Sequence, residues 1–275
     1  LKKKLEELEK LNRSIAEMYS WKLKTEILGQ PRYADDRRLL RSGFKSYSQA
    51  DEDGIIQEIF RRIGVTNKKF IEIGVGDGLE NNTLFLLLNG WQGVWIEGDI
   101  KFVESIYRKF SPLQKIGRLE IKQAWVSKDN INSLINDCGL PEELDFLSID
   151  IDGNDYHVLE NIVPLKARLV VVEYNSKLPP PTNWIMKYNP DHKKTNTDYF
   201  GASLKSFERL LLKKGYLLVG CNILGVNAFF VRKDLVEQHF HADYSAENHY
   251  EPQRYWLKYG FGSGFPPDFG PYCDD

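Results

Sequence analysis

The sequence has 275 residues, enough for one large α/β domain with appendages or for two small domains. Hydrophobic residues make up 42% and charged residues 28%, as in ordinary soluble proteins, and the net charge of −2 leaves no electrostatic footprint for nucleic acid or an anionic membrane. No apolar run reaches the roughly 20 residues of a transmembrane helix. Three widely spaced cysteines (Cys138, Cys221 and Cys273) and the lack of a signal-peptide pattern predict a cytoplasmic protein with reduced thiols.

The first 45 residues predict a helical arm, because apolar residues recur there at steps of four and three between Lys and Glu. The apolar stripe comprises Leu1, Leu5, Leu8, Leu11, Ile15 and Met18. It suits either a short coiled coil, joining a second copy or a partner domain, or a helix packed on its own domain. Residues 30–50 look irregular, and a helix follows from Glu52 to Ile63, where Gly64 ends it.

Residues 46–235 predict a Rossmann-like domain, because short apolar strands then alternate with helices. The predicted strands are Phe70–Ile73, Val94–Ile96, Leu119–Val126, Leu144–Ile149 and Leu169–Val172. Apolar strands without alternation are typical of parallel sheets that are covered on both faces. A polar stretch at 177–198 and a helix at Leu204–Lys213 precede two strands, Tyr216–Val219 and Ala228–Val231, whose short link predicts an antiparallel hairpin. Five parallel units closed by such a hairpin are the strand inventory of class I methyltransferases, and residues 236–275 form an aromatic-rich tail that we expect to wrap over the domain.

The first predicted strand runs into Gly74, Gly76 and Gly78, which let the backbone turn tightly and approach a ligand. The spacing is G-x-G-x-G, not the G-x-G-x-x-G of a dinucleotide site, and the acidic Asp77 and Glu80 would repel a pyrophosphate. Glu97 ends the second strand, where an acid accepts hydrogen bonds from ribose hydroxyls. This combination favours S-adenosylmethionine and disfavours an NAD-dependent oxidoreductase.

The sequence resembles the FkbM-type S-adenosylmethionine-dependent sugar O-methyltransferases over roughly Ser46 to Leu235, in a bacterial branch associated with surface polysaccharides such as capsules. The resemblance is carried by Phe70–Asp99 with Glu80-Asn-Asn-Thr83 and Gly90-Trp-Gln-Gly93, by Asp145–Asn161, by Glu173-Tyr-Asn175 and by Asp198–Ser203. It implies a cofactor role for Glu72, Gly74, Gly76, Glu97 and the Gln123-Ala124-Trp125 strand end. The full predicted cofactor set comprises Glu72, Gly74, Gly76, Asp77, Asn82, Thr83, Glu97, Gly98, Ala124, Trp125 and Asp150.

A second constellation, Asp150-Ile-Asp-Gly-Asn-Asp155, follows the fourth strand, and Glu173 and Asn175 end the fifth. Such oxygen donors suit Mg²⁺ or Mn²⁺, and the likeness to metal-dependent sugar O-methyltransferases implies Asp152, Glu173 and Asn175 as ligands. The alternative is that these acids cap the next helix and bind no metal. Because a sugar hydroxyl is a weak acid, its methylation needs help in losing the proton, and His157 and Asp155 are the base candidates beside Asp152.

The 177–198 insertion is long enough for a lid or binding loop. Its aromatic residues could stack on a sugar or base, and its basic residues could meet a phosphate of a nucleotide-linked sugar. The aromatic residues, with the one that follows the insertion, are Trp184, Tyr188 and Tyr199, and the basic ones are Lys187, His192, Lys193 and Lys194. The favoured function is O-methylation of a sugar. The alternatives are methylation of a small natural-product hydroxyl or amine, and a non-catalytic cofactor-binding scaffold in glycan assembly.

Overall fold

The computed structural model describes residues 2–141, 143–193, 196–258 and 270–274. Leu1 of the predicted stripe and Lys194 of the insertion lie outside the described residues. Within the described ranges, no helix combines the length and the apolar character needed to cross a membrane.

A seven-stranded sheet forms the centre of the fold. Its strands are β1 (Lys69–Ile73), β2 (Gln92–Glu97), β3 (Leu119–Gln123), β4 (Leu144–Ile149), β5 (Ala167–Glu173), β7 (Tyr216–Cys221) and β8 (Asn227–Arg232). They lie in the order β3-β2-β1-β4-β5-β8-β7. The first five are parallel to one another, whereas β8 runs antiparallel to both β5 and β7. Five parallel strands closed by an antiparallel hairpin form the predicted α/β sheet, so the predicted fold class is confirmed.

Helices cover the sheet and extend beyond it. They are α1 (Lys2–Leu28), α2 (Glu52–Ile63), α3 (Leu84–Leu88), α4 (Ile100–Lys109), α5 (Ser111–Lys115), α6 (Ile131–Asn136), α7 (Asp155–Asn161), α8 (Leu204–Lys213) and α9 (Ala246–His249). Gly64 ends α2 with a positive φ of 71° and a backbone N–H that donates to Phe60 O, as its position predicted.

Two hydrophobic clusters lie on opposite faces of the sheet, because successive strand residues point to alternate sides. Phe70 on β1 and Val171 on β5 belong to one cluster, and their neighbours Ile71 and Val172 belong to the other. Strands that are buried on both faces have to be apolar throughout, which explains the continuous apolar runs in the sequence.

The third strand is shorter than predicted. It ends at Gln123, not at Val126, because its neighbour β2 ends at Glu97. One further backbone hydrogen bond, from Ala124 N to Glu97 O at 3.0 Å, completes the pairing of the two strands. The segment after Gln123 is therefore a loop at the carboxyl end of the sheet.

The 177–198 insertion and the C-terminal tail meet in a second, two-stranded sheet. Its strands are β6 (Ile185–Met186) and β9 (Tyr272–Cys273), which pair antiparallel. The tail also reaches the core, where Phe240, Tyr255 and Leu257 are buried in the same cluster as Phe70. The tail is thus packed into the domain as well as laid over it.

Candidate active site

The glycine turn after β1 lies at the carboxyl end of the sheet, where β1 and β4 run side by side. A Cβ on Gly74 would lie 1.7 Å from the carbonyl oxygen of Asp150, and Gly74 has a φ of 82°, so only glycine fits here. Gly76 also has a positive φ, of 55°, but no atom lies within 4 Å of the position that its Cβ would take. The turn is therefore closed against Asp150 on one side and open in front of Gly76.

Glu97 at the end of β2 faces the same turn. Its carboxylate accepts hydrogen bonds from Gly76 N at 2.8 Å and from Asp99 N at 2.9 Å. Burial raises the pKa of this carboxyl above its usual value, against the lowering effect of the backbone donors. A carboxylate has about four acceptor sites, so these backbone donors leave Glu97 able to accept a bond from a ligand hydroxyl.

Trp125 forms an exposed aromatic wall beside Glu97. Its ring lies against Gly98, where a Cβ would come within 2.7 Å of the indole, and 69% of the residue's surface is exposed. Ala124, which bonds to the backbone of Glu97, holds the loop in place. A large flat side chain that lies against backbone on one side and is open on the other is suited to stacking on a planar ligand.

Glu72, Asn82 and Thr83 form a buried network behind the turn. The Glu72 carboxylate accepts bonds from the backbone N–H groups of Asn82 (2.8 Å) and Thr83 (3.0 Å) and from the Thr83 hydroxyl. Trp95 Nε1 donates to Thr83 Oγ1 at 2.7 Å. Burial raises the pKa of Glu72 to about 7. These three predicted cofactor residues hold the loop that follows the glycines.

Asp77 lies on the surface side of the same turn. Its carboxylate pairs with Lys109 Nζ at 2.7 Å and accepts a bond from Leu79 N at 3.1 Å. The Lys109 bond lowers the pKa of Asp77, so the group stays ionised. The Asp77 carboxylate is thus paired with a lysine of α4.

An acidic cluster lies across from the glycine turn, at the ends of β4 and β5. Asp150, Asp152 and Glu173 are half-buried, and one carboxylate oxygen from each lies within 4.8 Å of the other two. Asp152 has a φ of 55°, a left-handed conformation that Asp tolerates better than most residues. Asp150, predicted as a cofactor residue, thus joins Asp152 and Glu173 in the group that could hold a cation.

Asn175 is placed differently from the prediction. Its Nδ2 donates to the carbonyl oxygens of Asp198 (2.7 Å) and Phe200 (3.1 Å), and its Oδ1 accepts a bond from Lys177 N. The amide is buried and holds the segment after the insertion, so the carboxylate of Asp150 replaces it in our proposed ligand set.

The two base candidates have structural contacts in place. Asp155 is buried, and its carboxylate accepts bonds from Ile151 N and Gly153 N, both at 2.8 Å, which closes the acidic turn. His157 Nε2 donates to the carbonyl oxygen of Met186 at 2.8 Å, which ties α7 to β6. Both side chains therefore hold the shape of the site.

The insertion and the segment that follows it are docked on the acidic turn by four hydrogen bonds. His192 Nε2 donates to Asp152 O at 3.0 Å, and its ring fills the space beside Gly153, where a Cβ would come within 2.3 Å. Asn154 Nδ2 donates to Asn189 O at 2.7 Å, and its Oδ1 accepts from Asn189 N. Gly201 N donates to Gly153 O at 3.1 Å. The insertion therefore forms one wall of the site.

The aromatic residues of this wall contact one another and the tail. Trp184 stacks on Tyr272 at a centroid distance of 5.3 Å and an interplanar angle of 23°, and Tyr199 meets Tyr272 edge-on at 5.1 Å. Tyr188 packs instead against His157 and carries Lys128 Nζ 4.5 Å above its ring. Two of the three predicted aromatics thus share one surface with the tail.

Sequence reasoning missed Tyr255 and the segment before α2. Tyr255 is buried, and its pKa is raised first by burial and then by the charges of Glu173, Asp150 and Asp152. Asp53 accepts bonds from three successive N–H groups at 46–48, and Tyr47 O in turn accepts a bond from Asn81 N. The Asp-Glu-Asp sequence at 51–53 is typical of a helix N-terminus, and the sequence alone does not indicate that Asp53 also binds the preceding backbone.

No protein-family model and no curated protein sequence matches the chain. Among solved structures, a candidate caffeoyl-CoA O-methyltransferase from Staphylococcus aureus is 16% identical, with 66% of this chain and 82% of that chain covered and a TM-score of 0.46. An O-methyltransferase from Bacillus cereus in complex with SAH is 13% identical, with 78% and 88% covered and a TM-score of 0.44. The N-terminal domain of EvdMO1 with SAH bound is 12% identical, with 69% and 88% covered and a TM-score of 0.40. These likenesses concern the fold, so the functional argument depends on the geometry of the site.

Proposed function

We propose that the protein is an S-adenosylmethionine-dependent O-methyltransferase that acts on a sugar hydroxyl, either of a nucleotide-activated sugar or of a surface glycan. One observation carries the proposal: the glycine turn with Glu97 and the acidic cluster meet at one point, where Gly74 contacts Asp150. A donor pocket and a group that activates the acceptor have to adjoin in this way, because transfer requires the two reactants to be held in line.

The donor side is supported by the fit of the chain to a nucleoside. The Glu97 carboxylate is placed to accept bonds from ribose hydroxyls, and Trp125 offers a face for adenine. The open space before Gly76 leaves room for the rest of the molecule. When bound, S-adenosylmethionine supplies a methyl group from a sulfonium, whose sulfur leaves as a neutral thioether without being protonated.

The acceptor side is supported by the chemistry of the acidic cluster. Asp150, Asp152 and Glu173 present only hard carboxylate oxygens, the donor type that Mg²⁺ and Mn²⁺ prefer. A divalent ion held there would lower the pKa of a bound hydroxyl and orient its oxygen. The three carboxylates would hold the ion, and Asp155 would keep the turn that carries Asp152 in shape.

The proposal that the acceptor is a sugar is supported by the aromatic surface of Trp184, Tyr199 and Tyr272. Flat rings stack on the apolar face of a pyranose, and the insertion that carries Trp184 is docked on the acidic turn. Lys187 and Lys193 belong to the same insertion and could meet a phosphate of a nucleotide-linked sugar. We therefore place the acceptor between this surface and the acidic cluster.

The first test is calorimetric titration with S-adenosylhomocysteine, comparing the native protein with Glu97→Ala and Asp77→Ala. We expect micromolar binding by the native protein and roughly 10- to 100-fold weaker binding by Glu97→Ala, since hydrogen bonds to a charged group contribute about 1.5–3 kcal/mol each. Asp77→Ala, which alters an acid of the same turn that is paired with Lys109, should bind like the native protein.

Thermal unfolding of each variant separates loss of the site from loss of the fold. If the native protein bound no S-adenosylhomocysteine, with or without Mn²⁺, the donor pocket and with it the methyltransferase proposal would be refuted. If binding occurred but Glu97→Ala left it unchanged, the ribose would lie elsewhere.

A further inference from the structure

Helix α1 carries an apolar stripe that its own domain leaves uncovered. The stripe residues Leu5, Leu8, Leu11, Ile15 and Met18 are between 44% and 72% exposed. No residue of α1, all of which is described, is buried. Single exposed apolar residues are common, but five along one face of one helix are typical of an interaction surface.

The far end of α1 is fixed to the domain. Leu23, Ile27 and Leu28 pack against the core, and Ser20 Oγ donates to Leu257 O at 2.6 Å. At 1.5 Å per residue, the 18 residues from Lys2 to Tyr19 project about 27 Å from this anchor. The stripe is therefore held out from the domain in a defined direction.

The heptad register that keeps both Leu5 and Leu8 in the seam alternates the two seam positions a and d along the stripe. Position a is occupied by Leu5, Asn12 and Tyr19, and position d by Leu8, Ile15 and Lys22. Leu11 and Met18 fall at the flanking g position and widen the seam. Lys22, whose ammonium lies 3.9 Å from Glu26, ends the apolar seam where the helix reaches the domain.

We propose that a second copy of this chain occupies the stripe, forming a parallel two-stranded coiled coil over Leu5–Tyr19. In a parallel pair each a residue faces the same residue of the other helix, so Asn12 meets Asn12 of the second copy and both amides find a partner. In an antiparallel pair Asn12 would lie against an apolar d residue, and its amide would be left without one.

Charge at the edges of the seam favours the same arrangement. A g residue in a parallel coil faces the e residue five positions later on the other helix. Lys4 at g would therefore face Glu9 at e, twice per dimer because of the two-fold symmetry. The surface is thus complementary to itself, which selects a second copy over an unrelated helix.

The first test measures the molar mass of the full chain by sedimentation equilibrium over a wide range of protein concentration. We expect a concentration-dependent dimer, with self-association at least roughly tenfold weaker in the Leu8→Asp, Ile15→Asp double variant. The matched control is Lys10→Asp at position f, on the opposite face, which should dimerise like the native protein. Because these side chains lie outside the core, the melting temperature should not fall below that of a native monomer.

A native protein that stayed monomeric at every concentration would overturn the proposal, and so would a dimer that the double variant left intact. Orientation is tested by mild oxidation of Asn12→Cys and Lys10→Cys, each in a Cys273→Ser background, since Cys138 and Cys221 are buried. We expect a cross-linked dimer for Asn12→Cys only. Cross-linking of neither variant, or of Lys10→Cys alone, would overturn the parallel alignment.

Discussion

Gly74 and Gly76 have similar backbone conformations but different surroundings, and this contrast gives a quantitative prediction. An alanine at either position has to adopt a positive φ, which costs roughly 1–2 kcal/mol. At Gly74 the new methyl group also meets Asp150 backbone at 1.7 Å, and overpacking of this kind adds about 1–3 kcal/mol. At Gly76 it meets nothing within 4 Å. We therefore expect Gly74→Ala to cost about 2–5 kcal/mol and Gly76→Ala about 1–2 kcal/mol.

Cofactor binding should distinguish Gly76→Ala from the native protein although the stability of this variant is nearly native. The methyl group of Gly76→Ala projects into the space in which we place S-adenosylmethionine, so the affinity for S-adenosylhomocysteine should fall roughly tenfold or more although the fold is nearly as stable. Urea unfolding followed by circular dichroism gives the free energy of unfolding, and calorimetry gives the affinity. Equal destabilisation by the two substitutions would refute the steric reasoning at Gly74. An unchanged affinity in Gly76→Ala would remove the cofactor from this turn.

Two further predictions concern the acidic cluster and a buried histidine. Asp152→Asn should weaken Mn²⁺ binding at least roughly tenfold, because one of the three proposed carboxylate ligands becomes neutral. Titration calorimetry or electron paramagnetic resonance measures the affinity, and Asp77→Asn is the control. Equal affinity in the native protein and both variants would refute the metal site. His249 is buried, and burial lowers its pKa to about 3 from an ordinary 6.5. Since the unfolded chain then binds the proton first, stability that is present above pH 6.5 is lost as the pH falls toward 3, at about 1.4 kcal/mol per pH unit. Between pH 6.5 and about pH 4.5 the native protein should therefore lose roughly 2–3 kcal/mol that His249→Phe keeps. Parallel slopes for the native protein and His249→Phe would contradict this.

The sheet could be predicted because its physical cause is local. A strand covered on both faces has to be apolar throughout, and runs such as Phe70–Ile73 and Leu169–Val172 lie within β1 and β5. Helix α8 has its predicted bounds because Ser203 caps it, with its hydroxyl accepting a bond from Ser206 N. The end of β3 was wrong by three residues, since it depends on where the neighbouring strand ends.

The site was predictable only in its strand ends. Glu97 ends β2 and Asp150 directly follows β4, so the topology alone brings them to one edge of the sheet. The bonds of Asn175 to Asp198 O and of His157 to Met186 O depend on how the 177–198 insertion folds back, and no local sequence pattern encodes that. Exposure of the α1 stripe likewise depends on what the rest of the chain covers, so the sequence left both alternatives for the arm open.

The way in which the insertion is seated has a consequence for how this fold can diversify. Three of the four hydrogen bonds that seat the insertion end on a main-chain carbonyl oxygen. His192 donates to Asp152 O, Asn154 donates to Asn189 O, and Gly201 N donates to Gly153 O. Main-chain groups are the same whatever side chains a loop carries. The loop can therefore exchange its outward side chains, Trp184 among them, and still sit in the same place, while Glu97 and the glycine turn on the other strands stay untouched. A scaffold assembled in this way can change the ligand that its loop contacts without altering the glycine turn and Glu97.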